Sequence, residues 1–357
     1  MSKGAAAWVR DEIRALAAYH VPPAAGFTKL DAMENPYRLP PAVADRLGRH
    51  LAQVAINRYP DPGAPGLKSA LRRAMAIPDA LPMVLGNGSD EILQMIAVAL
   101  ARPGSTMLAL EPSFVMYRMS AIAAGMRYEG VPLAPDFTPD LPATLAAIER
   151  SRPALTWIAY PNNPTGNLFP RESVLAILEA SPGLVVVDEA YYAFSGGESF
   201  LPEVGRHPNL VLMRTVSKLG LAGIRLGLAV GPADWMGEFE KVRLPYNVNV
   251  LSAAAAEFVL GEPGVLAEQS RAIVRDRARL EAGLDAIAGA RRFPSAANFV
   301  LVRVPDAPRA FEGLKSRGIL VKNLHGSHAL LANCLRLTVG TPDENSRLLS
   351  ALAESIG

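Results

Sequence analysis

The chain has 357 residues, half of them hydrophobic and a fifth charged, enough to bury a large core in two domains or in one large domain with a smaller partner. Its 36 Lys and Arg against 34 Asp and Glu are scattered along the chain instead of forming a stripe, which speaks against a nucleic-acid binder. Its single cysteine, Cys334, rules out an internal disulfide, charges at residues 10, 11, 12 and 14 interrupt any signal sequence, and no apolar run has the length of a membrane span, so the expectation is a cytoplasmic protein with no membrane contact.

In chain order, "GLKSALRRAMA" carries a helical pattern, "PMVLGNG" is a short strand ending in glycines, and "SDEILQMIAVALA" is a helix with Ser89 and Asp90 at its start. Then "STMLALEP", "ALTWIAYP", "GLVVVDEA", "NLVLMRT" and "LGLAVGP" read as buried strands separated by helical stretches. That alternation predicts an α/β fold with a mostly parallel sheet sandwiched by helices, and ligands in such sheets bind outside the carboxyl ends of the strands. Beyond residue 250 a long helix is expected, with Ile273, Leu280, Leu284 and Ile287 on one face. Strands "NFVLVRV", "GILVKN" and "CLRLTV" and a closing helix follow, a smaller α+β unit completed by the N-terminal segment. The expected division is residues 1–45 as an N-terminal arm and part of the small domain, 46–250 as the large domain, and 251–357 as the small domain.

Four strand ends could carry chemistry. "LGNGSDE", with Gly88, Ser89 and Asp90, is a glycine-rich turn feeding a helix whose free amides suit a phosphate; a tight turn with Ser89 as a cap is an equal alternative. "YPNNPTG" offers an amide donor at Asn163, or simply a good turn. Asp188 follows three valines, where a carboxylate is either bonded locally or paired with a cationic ligand. "TVSKLGLAGIRLG" places Ser217, Lys218 and Arg225 in a glycine-rich turn, and a lysine entering such an apolar stretch needs a reason. A phosphorylated pyridine aldehyde uses all of these groups. Lys218 forms the Schiff base, Asp188 keeps the ring nitrogen protonated, the asparagine bonds the ring oxygen, and the cradle with Arg225 takes the phosphate.

These motifs, in their order from "KLDAMENPY" and "RYPDPG" through to "NCLRLTVGTPDEN", resemble the fold-type I pyridoxal-phosphate aminotransferases of class I/II, in the histidinol-phosphate aminotransferase branch. The resemblance implies pyridoxal 5'-phosphate as cofactor. It makes Lys218 the Schiff-base lysine and proton shuttle between the substrate Cα and the cofactor C4′, and Asp188 the partner of the pyridine nitrogen. Asn163 and Tyr191 fall where the family holds the ring oxygen, and Phe114 where an aromatic ring, usually tyrosine, stacks on the cofactor. Ser89, Asp90, Ser217 and Arg225 fall at the phosphate. Tyr59 matches a residue that reaches the neighbouring subunit's cofactor, which implies a homodimer with shared active sites. Arg336 matches the arginine that grips a carboxylate, Asn35 a residue near it, and Tyr19 a tyrosine that closes over the substrate phosphate. Lys322 falls where the branch often has arginine and offers a point charge without the planar fork.

Two departures stand out: Lys218 and Arg225 are seven residues apart where many relatives have eight, so the turn must be tight, and Met33 replaces a common asparagine. The activity implied is ping-pong transamination of L-histidinol phosphate with 2-oxoglutarate, giving imidazole acetol phosphate and glutamate in histidine biosynthesis. Alternatives on the same scaffold are aromatic amino acid transamination and threonine-phosphate decarboxylation. A noncatalytic ligand-sensing domain fused to a DNA-binding module would need a winged helix, and residues 1–30 are too few for one. His325 and His328 are expected to be solvated loop residues with no metal between them, and Asp31 and Glu34 to be caps or solvated charge.

Overall fold

A computed structural model describes residues 4–18 and 21–356 of the chain. Twelve strands run in chain order: β1 (Thr28–Leu30), β2 (Met83–Gly86), β3 (Thr106–Glu111), β4 (Arg127–Pro132), β5 (Leu155–Ala159), β6 (Leu184–Asp188), β7 (Leu210–Thr215), β8 (Gly227–Val230), β9 (Arg291–Arg292), β10 (Phe299–Arg303), β11 (Ile319–Asn323) and β12 (Cys334–Thr338). Seven form one sheet in the order β2-β8-β7-β6-β5-β3-β4, and five form a second in the order β1-β11-β12-β10-β9.

The seven-stranded sheet is parallel except for β8, which runs antiparallel to both β2 and β7. Alternate residues of one strand enter different cores: Val185 and Val187 pack on one face and Leu184 and Val186 on the other. Burial on both faces explains why the strand sequences are continuously apolar instead of alternating. Strand β4 carries no such run and was not expected from the sequence; it holds Gly130 and Pro132 and lies at the sheet edge, where a missing backbone donor costs no ladder bond.

Because β8 is reversed, its first residue lies at the carboxyl edge of its neighbours, with Gly227 opposite both Gly86 and Thr215. The ends of β2, β3, β5, β6 and β7 and the entry to β8 therefore converge on one edge. Gly227 permits the approach: a Cβ there would stand 2.6 Å from the Ser89 backbone nitrogen. The turn between β7 and β8 is tightened by two 3-10 segments, Ser217–Leu219 and Ala222–Ile224, with Arg225 in the left-handed region at φ 55°, and this accommodates the seven-residue spacing.

In the second sheet β1 pairs in parallel with β11, tying the N-terminal segment to strands far along the chain. Helix Val265–Asp285 buries Ile273, Leu280 and Leu284 against this sheet, while Ile287 lies just past its end and is only partly buried. Cys334 is a buried free thiol. Among the described residues no single helix is long and apolar enough to cross a membrane.

Candidate active site

The carboxyl edge of the large sheet encloses a cavity of about 580 Å³. Strand ends and turns deliver its groups: Asp188 from β6, Asn163 after β5, Ser217, Lys218 and Arg225 after β7, Ser89 and Asp90 after β2, and Phe114 and Tyr191 from adjoining loops.

Helix Ser89–Leu100 begins with Gly88 as its N-cap, at φ 82°, and no side chain caps it. Ser89 is thus the first helical residue and not the cap, so the cap alternative does not hold and the first amides of the helix remain available to an anion. Glu91 instead reaches back to accept from the Asn87 N–H at 2.6 Å and from Asn247 Nδ2 at 2.7 Å, which fixes the turn that enters the helix. Arg225 pairs with Asp90 at 3.2 Å, and a Cβ on Gly88 would stand 2.6 Å from the Arg225 guanidinium. Glycine at 88 therefore serves both the turn and the arginine beside it. Ser217 is set by Thr215, whose hydroxyl accepts the Ser217 N–H at 3.1 Å and donates to its Oγ at 2.9 Å.

Lys218 is half-buried and donates to the Ala32 carbonyl at 3.2 Å, with its Nζ 5.8 Å from the centre of the Tyr191 ring. Among the described residues no ion pair joins it to a carboxylate. Burial, reinforced by the charge of Arg336, lowers its pKa to about 8. Asp188 is the complementary case: burial raises it to about 6, opposed by hydrogen bonds from Tyr117 Oη at 2.8 Å and the Ala190 N–H at 3.0 Å. A buried acid and a half-buried amine in one cavity, neither neutralised by the other, are the groups a pyridine nitrogen and an aldehyde require. The uncapped helix start with Arg225 suits a phosphate. The residues present thus fit pyridoxal phosphate.

The pair of asparagines divides its labour. Asn162 is buried and donates to Pro112 O and Thr165 Oγ1, holding the turn together, while Asn163 faces the cavity and accepts from Arg336 Nη1 at 2.6 Å, which leaves its Nδ2 as a donor. The Tyr191 hydroxyl donates to the Met33 sulfur at 3.2 Å. Met33 is itself held in the left-handed region at φ 54° by buried bonds to Thr338 Oγ1 and from Asn298 Nδ2, so its thioether forms part of the cavity wall.

A second cavity of about 1200 Å³ shares Met33, Phe114 and Asn163 with the first. Arg336 and Lys322 enter it from paired positions on β12 and β11. Arg336 also donates to Asp31 O at 2.8 Å. Burial and the neighbouring Arg336 lower the Lys322 ammonium below its ordinary range. His328 is part-exposed on the wall of this cavity, where its Nδ1 accepts from the Leu330 N–H, and His325 is exposed. Asp31, by contrast, is not solvated: it is 6% exposed, 3.6 Å from Lys29 Nζ.

Three other expected residues lie outside both cavities or beyond description. Asn35 donates to Leu219 O and Gln269 Oε1 and accepts from the Tyr37 N–H, bracing the turn that carries Lys218. Tyr59 is 80% exposed and stacks on Tyr246 at 4.6 Å, away from its own chain's cavity. Tyr19 lies outside the described residues. Sequence reading missed Tyr117, the partner of Asp188, although it sits one helical turn after Phe114 in "SFVMY".

Fold and site together define a class of enzyme, and residues 25–352 match the family described as aminotransferase class I and II. The chain belongs to that family, with the fold-type I architecture, in its histidinol-phosphate aminotransferase branch. It is 59% identical to the histidinol-phosphate aminotransferase of Chromobacterium violaceum over 96% of both chains. It superposes with a TM-score of 0.88, at 28% identity over 99% of each chain, on the histidinol-phosphate aminotransferase of Sinorhizobium meliloti in complex with pyridoxal-5'-phosphate. L-threonine-O-3-phosphate decarboxylase of Porphyromonas gingivalis, at 24% identity and a TM-score of 0.76 over 91% of this chain and 98% of that one, shares the fold.

Proposed function

We propose that this chain uses pyridoxal 5'-phosphate to move the amino group of L-histidinol phosphate to 2-oxoglutarate, reversibly, giving imidazole acetol phosphate and glutamate in histidine biosynthesis. The observation that carries the reading is Lys218, an amine brought to a pKa of about 8 in the cavity that also holds Asp188, opening onto a second cavity with Arg336 and Lys322. The name of the relative that is 59% identical supports the same substrate.

When bound, the cofactor supplies an aldehyde that condenses with amines and a ring that withdraws electrons from the substrate Cα. The helix start at Ser89 and Asp90, with Ser217 and Arg225, holds its phosphate. Asp188 keeps a proton on its ring nitrogen, Phe114 covers one ring face, and Asn163 and Tyr191 bond the ring oxygen. Lys218, neutral in a substantial fraction near pH 8, removes the Cα proton and carries it as an ammonium. Arg336 binds the substrate's anionic group, a phosphate ester in one half-reaction and a carboxylate in the other, and Lys322 adds a point charge for the phosphate. Because the first product leaves before the oxo acid enters the same site, the kinetics are ping-pong.

A homodimer with shared active sites belongs to the same reading. Tyr59 and Tyr246 form a stacked, solvent-facing aromatic pair, with Leu244 exposed beside them in the chain, an apolar surface suited to a second copy. A cytoplasmic location fits the lone, buried cysteine. The assignment of the N-terminal segment to the small domain fits the pairing of β1 with β11, whereas a boundary at 250 is too early, since Ala256 and Val259 of helix Val250–Gly261 pack with Leu67 and Leu71 in the large-domain core.

The test is a steady-state assay of L-histidinol phosphate with 2-oxoglutarate, with glutamate as the measured product. Parallel double-reciprocal lines are expected. Release of carbon dioxide from O-phospho-L-threonine, or turnover of L-phenylalanine alone, overturns the substrate assignment.

A further inference from the structure

Tyr117 has no task in the function proposed above, yet it is fully buried at the floor of the cofactor cavity. We infer that Tyr117 is a positioning residue that fixes the orientation of the Asp188 carboxylate and keeps it ionised for the cofactor's ring nitrogen. The inference rests on the reading that the cavity holds pyridoxal phosphate.

The carboxylate is gripped from two sides. Tyr117 Oη donates to Asp188 Oδ2 at 2.8 Å and the Ala190 N–H donates to Oδ1 at 3.0 Å, so each oxygen has one partner and the carboxylate plane cannot turn without breaking a bond. A carboxylate offers about four lone-pair sites, which leaves room for a further donor in a direction these two bonds define. The tyrosine is itself held. Its ring stacks on Trp157 of β5 at 5.0 Å and 8°, and meets Phe114 edge-on at 5.7 Å and 88°. Phe114 and Tyr117 are three residues apart at the start of helix Val115–Ala124, so the ring that covers the cofactor and the hydroxyl that steers its counter-ion move as one unit.

The chemistry of the donor matters as much as its place. A phenol buried beside a carboxylate holds its proton far above the ordinary tyrosine range, because both burial and the Asp188 charge oppose its ionisation. Tyr117 is therefore a permanent donor to Asp188. Burial drives Asp188 toward the neutral form, and the charges of Asp90 and Glu189 act the same way. The Tyr117 and Ala190 bonds are what oppose them, while Lys218 and Arg225 bring positive charge to the same cavity. Without the hydroxyl, a larger share of Asp188 is protonated near neutral pH and cannot serve as the ring nitrogen's counter-ion.

The experiment measures dissociation of pyridoxal phosphate from the holoenzyme between pH 6 and 9, which needs no turnover. Tyr117→Phe keeps the ring and its stacking, and is expected to weaken retention roughly tenfold or more, as loss of a hydrogen bond to a charged group implies, with the deficit growing toward the acid end. In an Asp188→Asn background the same change is expected to add less than about twofold, because a residue acting through Asp188 has nothing left to act on. Wild-type affinity and pH profile in Tyr117→Phe, or an undiminished loss in the Asp188→Asn background, overturns the inference. Should Tyr117→Phe not fold, 3-fluorotyrosine incorporated at position 117 keeps the hydroxyl and changes its acidity; a tighter, acid-shifted retention profile supports the inference and an unchanged one overturns it. If the wild-type protein retains no pyridoxal phosphate, the proposed function fails instead. If it does and Tyr117→Phe is indifferent, this inference alone fails.

Discussion

The carboxyl edge of the seven-stranded sheet and strands β11 and β12 of the five-stranded sheet border adjoining cavities, but Lys218 and Asp188 on the first are held in the opposite way to Arg336 on the second. On the large-sheet side Lys218 and Asp188 are shifted by burial toward their neutral forms and are paired with no opposite charge among the described residues. On the small-sheet side Arg336 is already tied to Asn163 and to the Asp31 carbonyl. The first arrangement carries a cost in the protein alone that a ligand can relieve, which suits reacting groups. The second is preorganised, which suits a group that only has to grip an anion.

The contrast is broken most severely at Arg336. Arg336→Gln is expected to raise KM about 10- to 100-fold for both L-histidinol phosphate and glutamate, the loss of a hydrogen-bonded charge. Cofactor retention should stay within a few-fold of wild type, and a comparable loss of pyridoxal phosphate would show that the two walls are not separable.

Next in size is the cost stored at Asp188. Its folded-state pKa of about 6 lies above its ordinary value, so in the cofactor-free protein the folded state binds the extra proton between about pH 4 and 6. Stability should therefore fall as pH rises through that window and level off above it. Asp188→Asn removes the slope, worth on the order of 1–3 kcal/mol. Thermal melts of the two cofactor-free proteins from pH 4 to 8 check this; parallel curves would mean that Asp188 carries no such cost.

The smallest expected effect is at Lys322, which shares the wider cavity with Arg336. Lys322→Arg supplies a planar fork and should lower KM for the phosphate ester a few-fold while leaving that for glutamate nearly unchanged. Equal changes for the two donors would place Lys322 on a surface both use in the same way.

The same division governs what could be read from the sequence. The groups proposed for the cofactor lie at the ends of buried parallel strands, where a run such as "VVVD" announces both the strand and the loop that follows it. Gly88, Asp188 and Lys218 were therefore legible from local patterns. The opposite wall depends on pairings across almost the whole chain: β1 with β11 brings Asp31 beside Arg336, and Asn298 and Thr338 hold Met33 in a left-handed conformation. No local pattern reports such contacts. Asp31 accordingly read as a cap or solvated charge and is buried, and Asn35, which the resemblance places near the substrate carboxylate, braces the Lys218 turn. Tyr117 failed to show for another reason, since a tyrosine within an apolar helix reads as core until its hydroxyl is seen to point at a carboxylate. Strand β4 escaped because an edge position frees it from the apolar run that marks its neighbours.

The most direct measurement is the absorption spectrum of the purified holoenzyme as L-histidinol phosphate, O-phospho-L-threonine and L-phenylalanine are added in turn with no oxo acid present. The account predicts that L-histidinol phosphate bleaches the band of the lysine-bound cofactor to the pyridoxamine form, and that Lys218→Ala lacks that band from the start. No response to L-histidinol phosphate, with conversion by either of the other amines, would contradict it.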